Sequence, residues 1–279
     1  MTRIKKGLIS SLAAIVLIFT GLSQAYPVPK GDTGAMLDEV LVGDHRPDAD
    51  KARDKFRNPK ETLLFFGLAA DMTVVEITPG AGWYTRVLAP VMKDHGTFYG
   101  AIYKVTDGSP DIIKRLDRMY RDLLASNPDL YGNVQLSVFD PAAPVFAPAE
   151  SADMVLTFRN VHNWAKFGTA EAMFKGFYDA LKPGGTLGVV EHRAKPGTPF
   201  ERQIESGYMT EAYTIKAAEQ AGFKLVAKSE INANPKDTAD HPGGVWNLPP
   251  NLRGVPDAEK SKYRAIGESD RMTLKFVKP

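Results

Sequence analysis

The chain has 279 residues, of which 35 are basic, 33 are acidic, 43% are hydrophobic and none is cysteine. This length and composition are typical of a globular protein with a substantial core, and they exclude a disordered chain. The lack of cysteine also excludes a disulfide scaffold, a zinc–thiolate site and a cysteine nucleophile.

The first 25 residues have the three parts of a secretory signal peptide. They begin with basic residues at 3–6, continue with a 15-residue apolar run at 8–22, and end in small residues at Ala25. A membrane-spanning helix needs about 20 apolar residues. We therefore expect cleavage after Ala25 and export, to the periplasm or outside the cell, rather than an uncleaved anchor.

The charge of the chain changes once this leader is removed. The leader carries three of the 35 basic residues and no acidic one, so the mature chain keeps 32 basic and 33 acidic residues. Such a balance gives no electrostatic reason to expect nucleic acid or an anionic membrane surface as a partner. We predict neither partner, and no stable membrane insertion after cleavage.

Residues 26–70 are predicted to form an N-terminal helical cap. Many charges and few regularly spaced apolar residues up to residue 57 indicate short helices that lie over a core made elsewhere. Asn58 and Pro59 then predict the start of a longer helix, with Asn58 as its N-cap and Glu61 as a capping-box carboxylate.

Residues 71–279 are predicted to form one α/β domain. Short β-rich apolar runs alternate with longer segments of helical period, which indicates βαβ units and a mainly parallel sheet. Between the last two strands, residues 232–270 contain five prolines, and we expect a lid-like insert there. The predicted strands cover residues 73–77, 97–102, 134–138, 154–158, 186–191, 224–231 and 272–277.

The most informative segment is VVEITPGAGWYT, residues 74–85. A buried strand ends in Glu76, the chain turns through residues 79–82, and a helix is predicted to begin at about Trp83. Glycine lets the backbone approach a ligand, and ligands of open parallel sheets bind beyond the carboxyl ends of the strands. A tight turn also favours glycine for purely structural reasons.

This segment resembles motif I of the class I S-adenosylmethionine-dependent methyltransferases, in which an acidic residue ends the first strand and a glycine-rich turn contacts the cofactor. Asp140 matches the acidic residue that contacts adenine in that family. Residues 152–158 resemble the family's fourth strand, and residues 181–187 resemble the sequence segment that leads from a helix into the family's fifth strand. Residues 272–277 fit the family's antiparallel last strand, so the resemblance spans residues 60–279.

The resemblance implies a Rossmann-like fold: a seven-stranded, mostly parallel sheet with an antiparallel last strand, helices on both faces and an N-terminal helical cap. It implies S-adenosylmethionine as cofactor and methyl transfer to a small-molecule acceptor. Together with the leader, residues 53–54, 57–59, 80–85 and 159–164 resemble a group of exported predicted methyltransferases. The implied cofactor-binding residues are Glu76, Thr78, Pro79, Gly80, Gly82, Tyr84, Thr85, Asp140, Arg159 and Asn160.

Two positions depart from the family pattern. Thr78 replaces the first glycine of the turn, and Pro79 follows it. The end of the second strand lacks the acid that holds the ribose hydroxyls, so Tyr103 or a backbone group is the available substitute. A catalytically degenerate binding domain with the same fold is therefore the alternative. A nicotinamide dehydrogenase is a poorer one, because the turn is not G-x-G-x-x-G.

His162 is the candidate catalytic base. Transfer of a methyl group to a hydroxyl requires removal of the acceptor's proton, which imidazole accomplishes near neutral pH. The triplet His162-Asn163-Trp164 resembles the His-Asp-Trp of small-molecule O-methyltransferases, in which the histidine is that base. The alternative is a histidine that hydrogen-bonds loop backbone and fixes the turn.

Glu191 and His192 end the fifth strand, beside the fourth in this topology, so they could converge with His162 and Asp140. The five histidines include no closely spaced ligand pair, and we predict no metal. Glu191 is expected to be solvated or in a salt bridge. Trp246, within the insert, either closes over an acceptor or anchors its loop.

Overall fold

The computed structural model describes residues 32–279. The predicted signal peptide lies outside the described residues. No helix within residues 32–279 is both long and apolar enough to cross a membrane.

The described chain alternates strands and helices from residue 73 onward, as predicted. The helices are α1 (Thr33–Val42), α2 (Asp48–Lys51), α3 (Asp54–Arg57), α4 (Pro59–Phe66), α5 (Thr85–Met92), α6 (Asp111–Ser126), α7 (Pro128–Tyr131), α8 (Val161–Phe167), α9 (Ala170–Ala180), α10 (Phe200–Ser206), α11 (Glu211–Gln220) and α12 (Lys260–Ile266). The strands are β1 (Thr73–Ile77), β2 (Thr97–Tyr103), β3 (Gln135–Phe139), β4 (Ala152–Phe158), β5 (Leu181–His192), β6 (Lys224–Ser229) and β7 (Arg271–Val277).

The seven strands form one sheet in the order β3-β2-β1-β4-β5-β7-β6. Strands β1 to β5 are parallel, and β7 is antiparallel to both of its neighbours. The predicted fold is therefore confirmed, including the reversed last strand. Most predicted strand ends lie within two residues of those observed, but β5 begins at Leu181 rather than Thr186 because the turn before it pairs as well.

Helices cover both faces of the sheet, and each face has its own apolar core. Trp164, Phe174 and Phe177 of α8 and α9 lie in one core. The other core takes side chains from α5 and α6 and also from the N-terminal segment, where Leu37 and Phe66 are fully buried. The central strands read as nearly continuous apolar runs because both of their faces are covered in this way.

The first helices of the chain differ in what they bury. α1 and α4 contribute to the core, whereas α2 and α3 bury no apolar side chain. Instead, α2 and α3 place charged side chains at the turn that follows β1. The predicted boundary of the cap at residue 70 stays a prediction.

Asn58 does not cap α4, so that prediction was wrong. Its backbone is left-handed, with φ of 38°, and its side-chain nitrogen donates to the carbonyl of Ile231 at 2.6 Å. The reason is its position between two helices, because the same residue ends α3 and precedes α4. A residue that turns the chain there cannot also aim its side chain at the amides of α4.

The insert at residues 232–270 contains short 3-10 turns and α12, and buried polar contacts anchor both of its ends. Asn232 donates to the hydroxyls of Thr62 at 2.9 Å and Thr273 at 3.0 Å. Asp237 accepts from the Tyr208 hydroxyl at 2.9 Å and from the amide of Asp270 at 2.8 Å. Its predicted function as a lid stays a prediction.

Gly188 lets α4 approach β5, and its replacement tests this packing. A Cβ atom at Gly188 would lie 2.8 Å from the Phe66 ring and 2.7 Å from Leu156. We expect Gly188→Ala to lower the free energy of unfolding by about 1–3 kcal/mol, because the added methyl overpacks the core. In denaturant titrations the double variant Gly188→Ala/Phe66→Leu should lose less than the sum of the single losses. If the losses in the free energy of unfolding of the two single variants are strictly additive in the double variant, the proposed contact between Gly188 and Phe66 is contradicted.

Candidate functional site

The carboxyl ends of β1 and β4 open into a cavity of about 260 Å³. Three parts of the chain enclose it: the turn after β1, the end of β4, and the short helices α2 and α3. The lining residues are Asp50, Arg53, Arg57, Glu76, Thr78, Pro79, Gly80, Ala81, Trp83, Tyr84, Arg86, Phe158, Arg159 and Asn160. A larger cavity of about 710 Å³ lies along the insert and contains no residue of the turn.

Gly80 and Gly82 are both needed in the turn, but for different reasons. Both have a positive φ, 62° and 80°, which favours glycine. A Cβ atom on Gly80 would meet nothing within 4 Å, whereas one on Gly82 would lie 2.1 Å from Leu123 of α6. Gly80 therefore leaves bare backbone in front of the cavity, and Gly82 allows close helix packing. The following helix begins at Thr85, two residues later than predicted.

Thr78 is strained and unsatisfied. Its φ is 49°, a left-handed conformation that is unfavourable for a β-branched residue. A hydrogen bond from its amide to the carbonyl of Ala101, at 2.8 Å, helps hold this conformation. Its buried hydroxyl has no hydrogen-bond partner within the described chain, although it lies at the cavity. A buried polar group of this kind is suited to a polar ligand atom.

Glu76 carries the carboxylate at the end of β1. Its Oε2 accepts from the Thr85 hydroxyl at 2.6 Å, and that hydroxyl lies 3.2 Å from the Tyr120 hydroxyl. Burial raises the pKa of Glu76 to about 7, although the hydrogen bond from Thr85 acts in the opposite direction. Thr85 therefore supports Glu76 from behind the cavity wall rather than lining the cavity itself.

Tyr84 and Trp83 both line the cavity and pack against its other walls. The Tyr84 ring stacks on Phe158 with centroids 3.5 Å apart and planes at 10°. Trp83 lies between two guanidinium groups, 4.5 Å from Arg57 and 5.3 Å from Arg46. Both residues therefore combine packing with a position at the cavity wall.

Asn160 and Arg159 follow β4 and also line the cavity. Asn160 donates from Nδ2 to the carbonyl of Ile77 at 3.2 Å, which joins the ends of β1 and β4. Arg159 has a φ of 63°, and its amide donates to the carbonyl of Val190 at 2.7 Å. Together these contacts fix the backbone from which the Arg159 side chain enters the cavity wall.

A group of arginines meets at one carboxylate beside the cavity. Glu268 lies 2.5 Å from Arg53 Nε and 3.1 Å from Arg57 Nε, and it also pairs with Arg271. Burial alone would raise the pKa of Glu268, but the guanidinium groups hold it well below its usual range. We refer to Arg53, Arg57, Arg159 and Arg271 as the arginine cluster.

Sequence reasoning did not place the arginine cluster at the site, apart from Arg159. The segments that contain Arg53 and Arg57 indicate only a resemblance to a group of exported predicted methyltransferases, and they do not predict a position at the site. Glu268 and Arg271 lie more than 200 residues further along the chain. No local pattern links charges that are so far apart, because their meeting depends on how β7 enters the sheet.

Two residues expected on the ribose and adenine side do not line this cavity. The hydroxyl of Tyr103 accepts a hydrogen bond from Trp164 Nε1 at 2.8 Å. Asp140 is exposed, and its Oδ1 accepts from the amide of Ala142 at 2.9 Å. Their predicted contacts with a cofactor stay predictions.

His162 lies next to Glu191 rather than on the cavity wall. Its Nδ1 is 3.1 Å from Glu191 Oε1, and its amide donates to Glu191 Oε2 at 3.2 Å. The side chain is 8% exposed, and its ring lies 6.3 Å from that of Trp246. Glu191 thus orients the imidazole and caps the first turn of α8, an arrangement that suits a positioned base or a purely structural histidine.

Glu191 also joins His162 and His192 into a group able to hold a metal ion. One ligand atom from each of the three residues lies within 4.8 Å of the others. Burial and the positive charges of His162 and nearby arginines, among them Arg271, lower the pKa of His192 well below its usual value. The positive charges of these arginines oppose a divalent cation. The absence of a metal stays a prediction.

Several features of the cavity fit the cofactor that the resemblance implies. The open space before Gly80, the unpartnered Thr78 hydroxyl and the buried Glu76 carboxylate fit a polar ligand at the turn. The volume lies slightly below the roughly 300–1,000 Å³ of sites for drug-sized ligands. A whole molecule of S-adenosylmethionine therefore requires the cavity to widen when it binds.

Comparison with known proteins shows the fold. No family model and no curated protein matches the chain. A solved S-adenosylmethionine-dependent methyltransferase from Aquifex aeolicus is similar over 84% of this chain and 99% of its own, with 16% identity and a TM-score of 0.54. The 4+2 cyclase SpnF is similar over 85% of each chain, with 15% identity and a TM-score of 0.56. The chain therefore has the methyltransferase fold, which at this level of identity does not settle its reaction.

The raised pKa of Glu76 predicts a pH dependence of stability. The folded protein binds this proton more tightly than the unfolded chain, so stability is lost as pH rises from about 4.5 to about 7. Relative to Glu76→Gln, wild type should lose about 3 kcal/mol over this range. Denaturant titrations at several pH values measure the difference. The same substitution at exposed Glu201 is the control, and a pH-independent difference at residue 76 would refute the assignment.

Proposed function

We propose that this protein is an S-adenosylmethionine-dependent methyltransferase that acts on a small-molecule acceptor. The observation that carries the proposal is the bare backbone at Gly80, which faces an open cavity beyond the carboxyl end of β1. In an open α/β sheet this is where ligands bind. Similarity of the whole fold to a methyltransferase supports the proposal.

The residues at the turn would hold the cofactor at its polar end. Glu76, Thr78 and the backbone at Gly80 offer a carboxylate, a hydroxyl and amide groups at one wall. Tyr84 and Phe158 offer an apolar surface beside them. The bound cofactor supplies a methyl group on a sulfonium, and the chain's own contribution is to align the acceptor and exclude water.

We further propose a hydroxyl acceptor and His162 as the base that takes its proton. The contact with Glu191 supports this role, because a carboxylate at Nδ1 leaves Nε2 able to accept a proton. The ring of Trp246 lies 6.3 Å from that of His162, so an acceptor at this imidazole would lie close to the tryptophan. Export of the mature chain from Tyr26 onward remains part of the proposal and rests on residues 1–25.

The second candidate is a non-catalytic binding domain that keeps the fold. It is favoured by the region where the ribose and adenine would lie, because neither Tyr103 nor Asp140 lines the cavity. Export also favours it, since S-adenosylmethionine is made in the cytoplasm. Cofactor binding separates the two candidates.

Substitution of Gly80 tests the proposed cofactor site. Gly80→Val fills the open space, so saturable binding of S-adenosylmethionine and S-adenosylhomocysteine in calorimetry should be lost. Gly197→Val is the matched control, because Gly197 also has a positive φ and no neighbour within 4 Å. It introduces the same backbone strain at an exposed site and should bind as wild type does. No binding by wild type at millimolar ligand would favour the non-catalytic domain.

His162→Ala tests the proposed base. Loss of a general base should lower turnover by about 100- to 10,000-fold while leaving S-adenosylhomocysteine affinity within a factor of about two. Turnover is measured as S-adenosylhomocysteine formed with a panel of hydroxy acids and neutral alcohols. Exposed His95→Ala is the control. Unchanged turnover in His162→Ala would remove this residue from the mechanism.

A further inference from the structure

The cavity has an excess of positive charge. Four arginines, Arg53, Arg57, Arg86 and Arg159, line it, against two carboxylates, Asp50 and Glu76. One of those carboxylates is weakened as a counter-charge, because burial raises the pKa of Glu76 to about 7. Buried charges in proteins are normally paired, so this imbalance needs a physical explanation.

The imbalance is concentrated at two guanidinium groups. Arg57 is 3% exposed, and its Nη1 has no hydrogen-bond partner within the described chain. The side chain of Arg159 is partly exposed and makes neither an ion pair nor a hydrogen bond with any residue of 32–279. Both side chains line the same cavity. Glu268, which lies behind this wall, is already shared among Arg53, Arg57 and Arg271.

The backbone that carries the Arg159 guanidinium group is also in an unfavourable conformation. Arg159 has a left-handed φ of 63°, which is unfavourable for a residue with a side chain. Thr78, on the facing wall, has a similar φ of 49°. Strain of this kind persists where the surrounding structure fixes it, and it concentrates at functional sites.

We propose that the cavity binds an oxyanion, a carboxylate or a phosphate group, between Arg57 and Arg159, and that this group belongs to the methyl acceptor. The planar guanidinium fork matches both anions and pairs with them through two parallel hydrogen bonds. The acceptor is then an acid or a phosphoester rather than a neutral molecule. Its assignment as an acceptor rests on the proposed function, whereas the oxyanion site does not.

The charge of the cofactor favours the acceptor as the source of the anion. S-adenosylmethionine carries a sulfonium, an ammonium and one carboxylate, and is therefore a cation overall. A cavity with excess positive charge repels such a ligand unless a separate anion enters with it. An acidic acceptor provides that anion and at the same time is held beside the turn.

Malonate and inorganic phosphate are the probes for the oxyanion site. On the mature chain at constant ionic strength, either probe at tenfold excess over its Kd should raise Tm by about 3–5 °C relative to chloride. Arg159→Gln should weaken probe binding about tenfold or more in calorimetry. Without any anion, the same variant should be about as stable as wild type, because the Arg159 side chain has no ion pair or hydrogen bond with residues 32–279 for the substitution to remove.

Two further variants sharpen this test. Arg159→Lys keeps the charge but loses the fork, so its affinity for the probes should lie between those of wild type and Arg159→Gln. Arg121→Gln is the matched control, because Arg121 pairs only with Asp117 on an exposed part of α6. The oxyanion site is refuted if neither probe binds, if Arg159→Gln binds as wild type does, or if that variant is less stable without an anion.

The source of the anion is tested with S-adenosylhomocysteine and methylthioadenosine, which lacks the amino-acid carboxylate. Simultaneous binding of malonate and S-adenosylhomocysteine supports an acidic acceptor. The acceptor assignment is refuted if the two compete and Arg159→Gln weakens S-adenosylhomocysteine but not methylthioadenosine, because the arginines then serve the cofactor's own carboxylate. Malonate binding without any S-adenosylhomocysteine binding would refute the proposed function and leave the oxyanion site standing.

Discussion

The contacts of Glu268 with three guanidinium groups organise the site. They join α3 near the N-terminus to the end of the insert and the start of β7, which are more than 200 residues apart in sequence. The carboxylate offsets much of the repulsion among the arginines, which is why these charges can be buried together. Within residues 32–279 it leaves Arg159 without a direct partner, so the cavity keeps an excess of positive charge.

The turn after β1 meets two separate requirements, one for packing and one for an open cavity. Gly82 is needed so that α6 can pack closely, whereas Gly80 is needed to keep backbone open toward the cavity. Thr78 adds a strained backbone and an unsatisfied hydroxyl at the same wall. Folding alone does not account for these last features, because a turn selected only for stability would not leave a buried polar atom unpaired.

The fold by itself leaves the reaction open. A methyltransferase and a cyclase are both similar to this chain at comparable TM-scores. What distinguishes reactions on a shared fold is the chemistry at the site. In this protein that chemistry consists of a glycine turn with bare backbone, a cavity with excess positive charge, and a histidine oriented by Glu191 behind Trp246.

The sequence alone determined the alternation of strands and helices and the turn at Gly80, because periodicity and turn chemistry are local signals that appear in consecutive residues. The reversed last strand was expected only from the resemblance to a known family. It did not determine that Asn58 would bond to Ile231 instead of capping α4, or that His162 would lie behind Trp246. Nor did it show that Arg53, Arg57 and Arg271 would meet at Glu268. Those outcomes depend on contacts between residues far apart in the chain, and only the packing of the helices and the insert around the sheet decides such contacts.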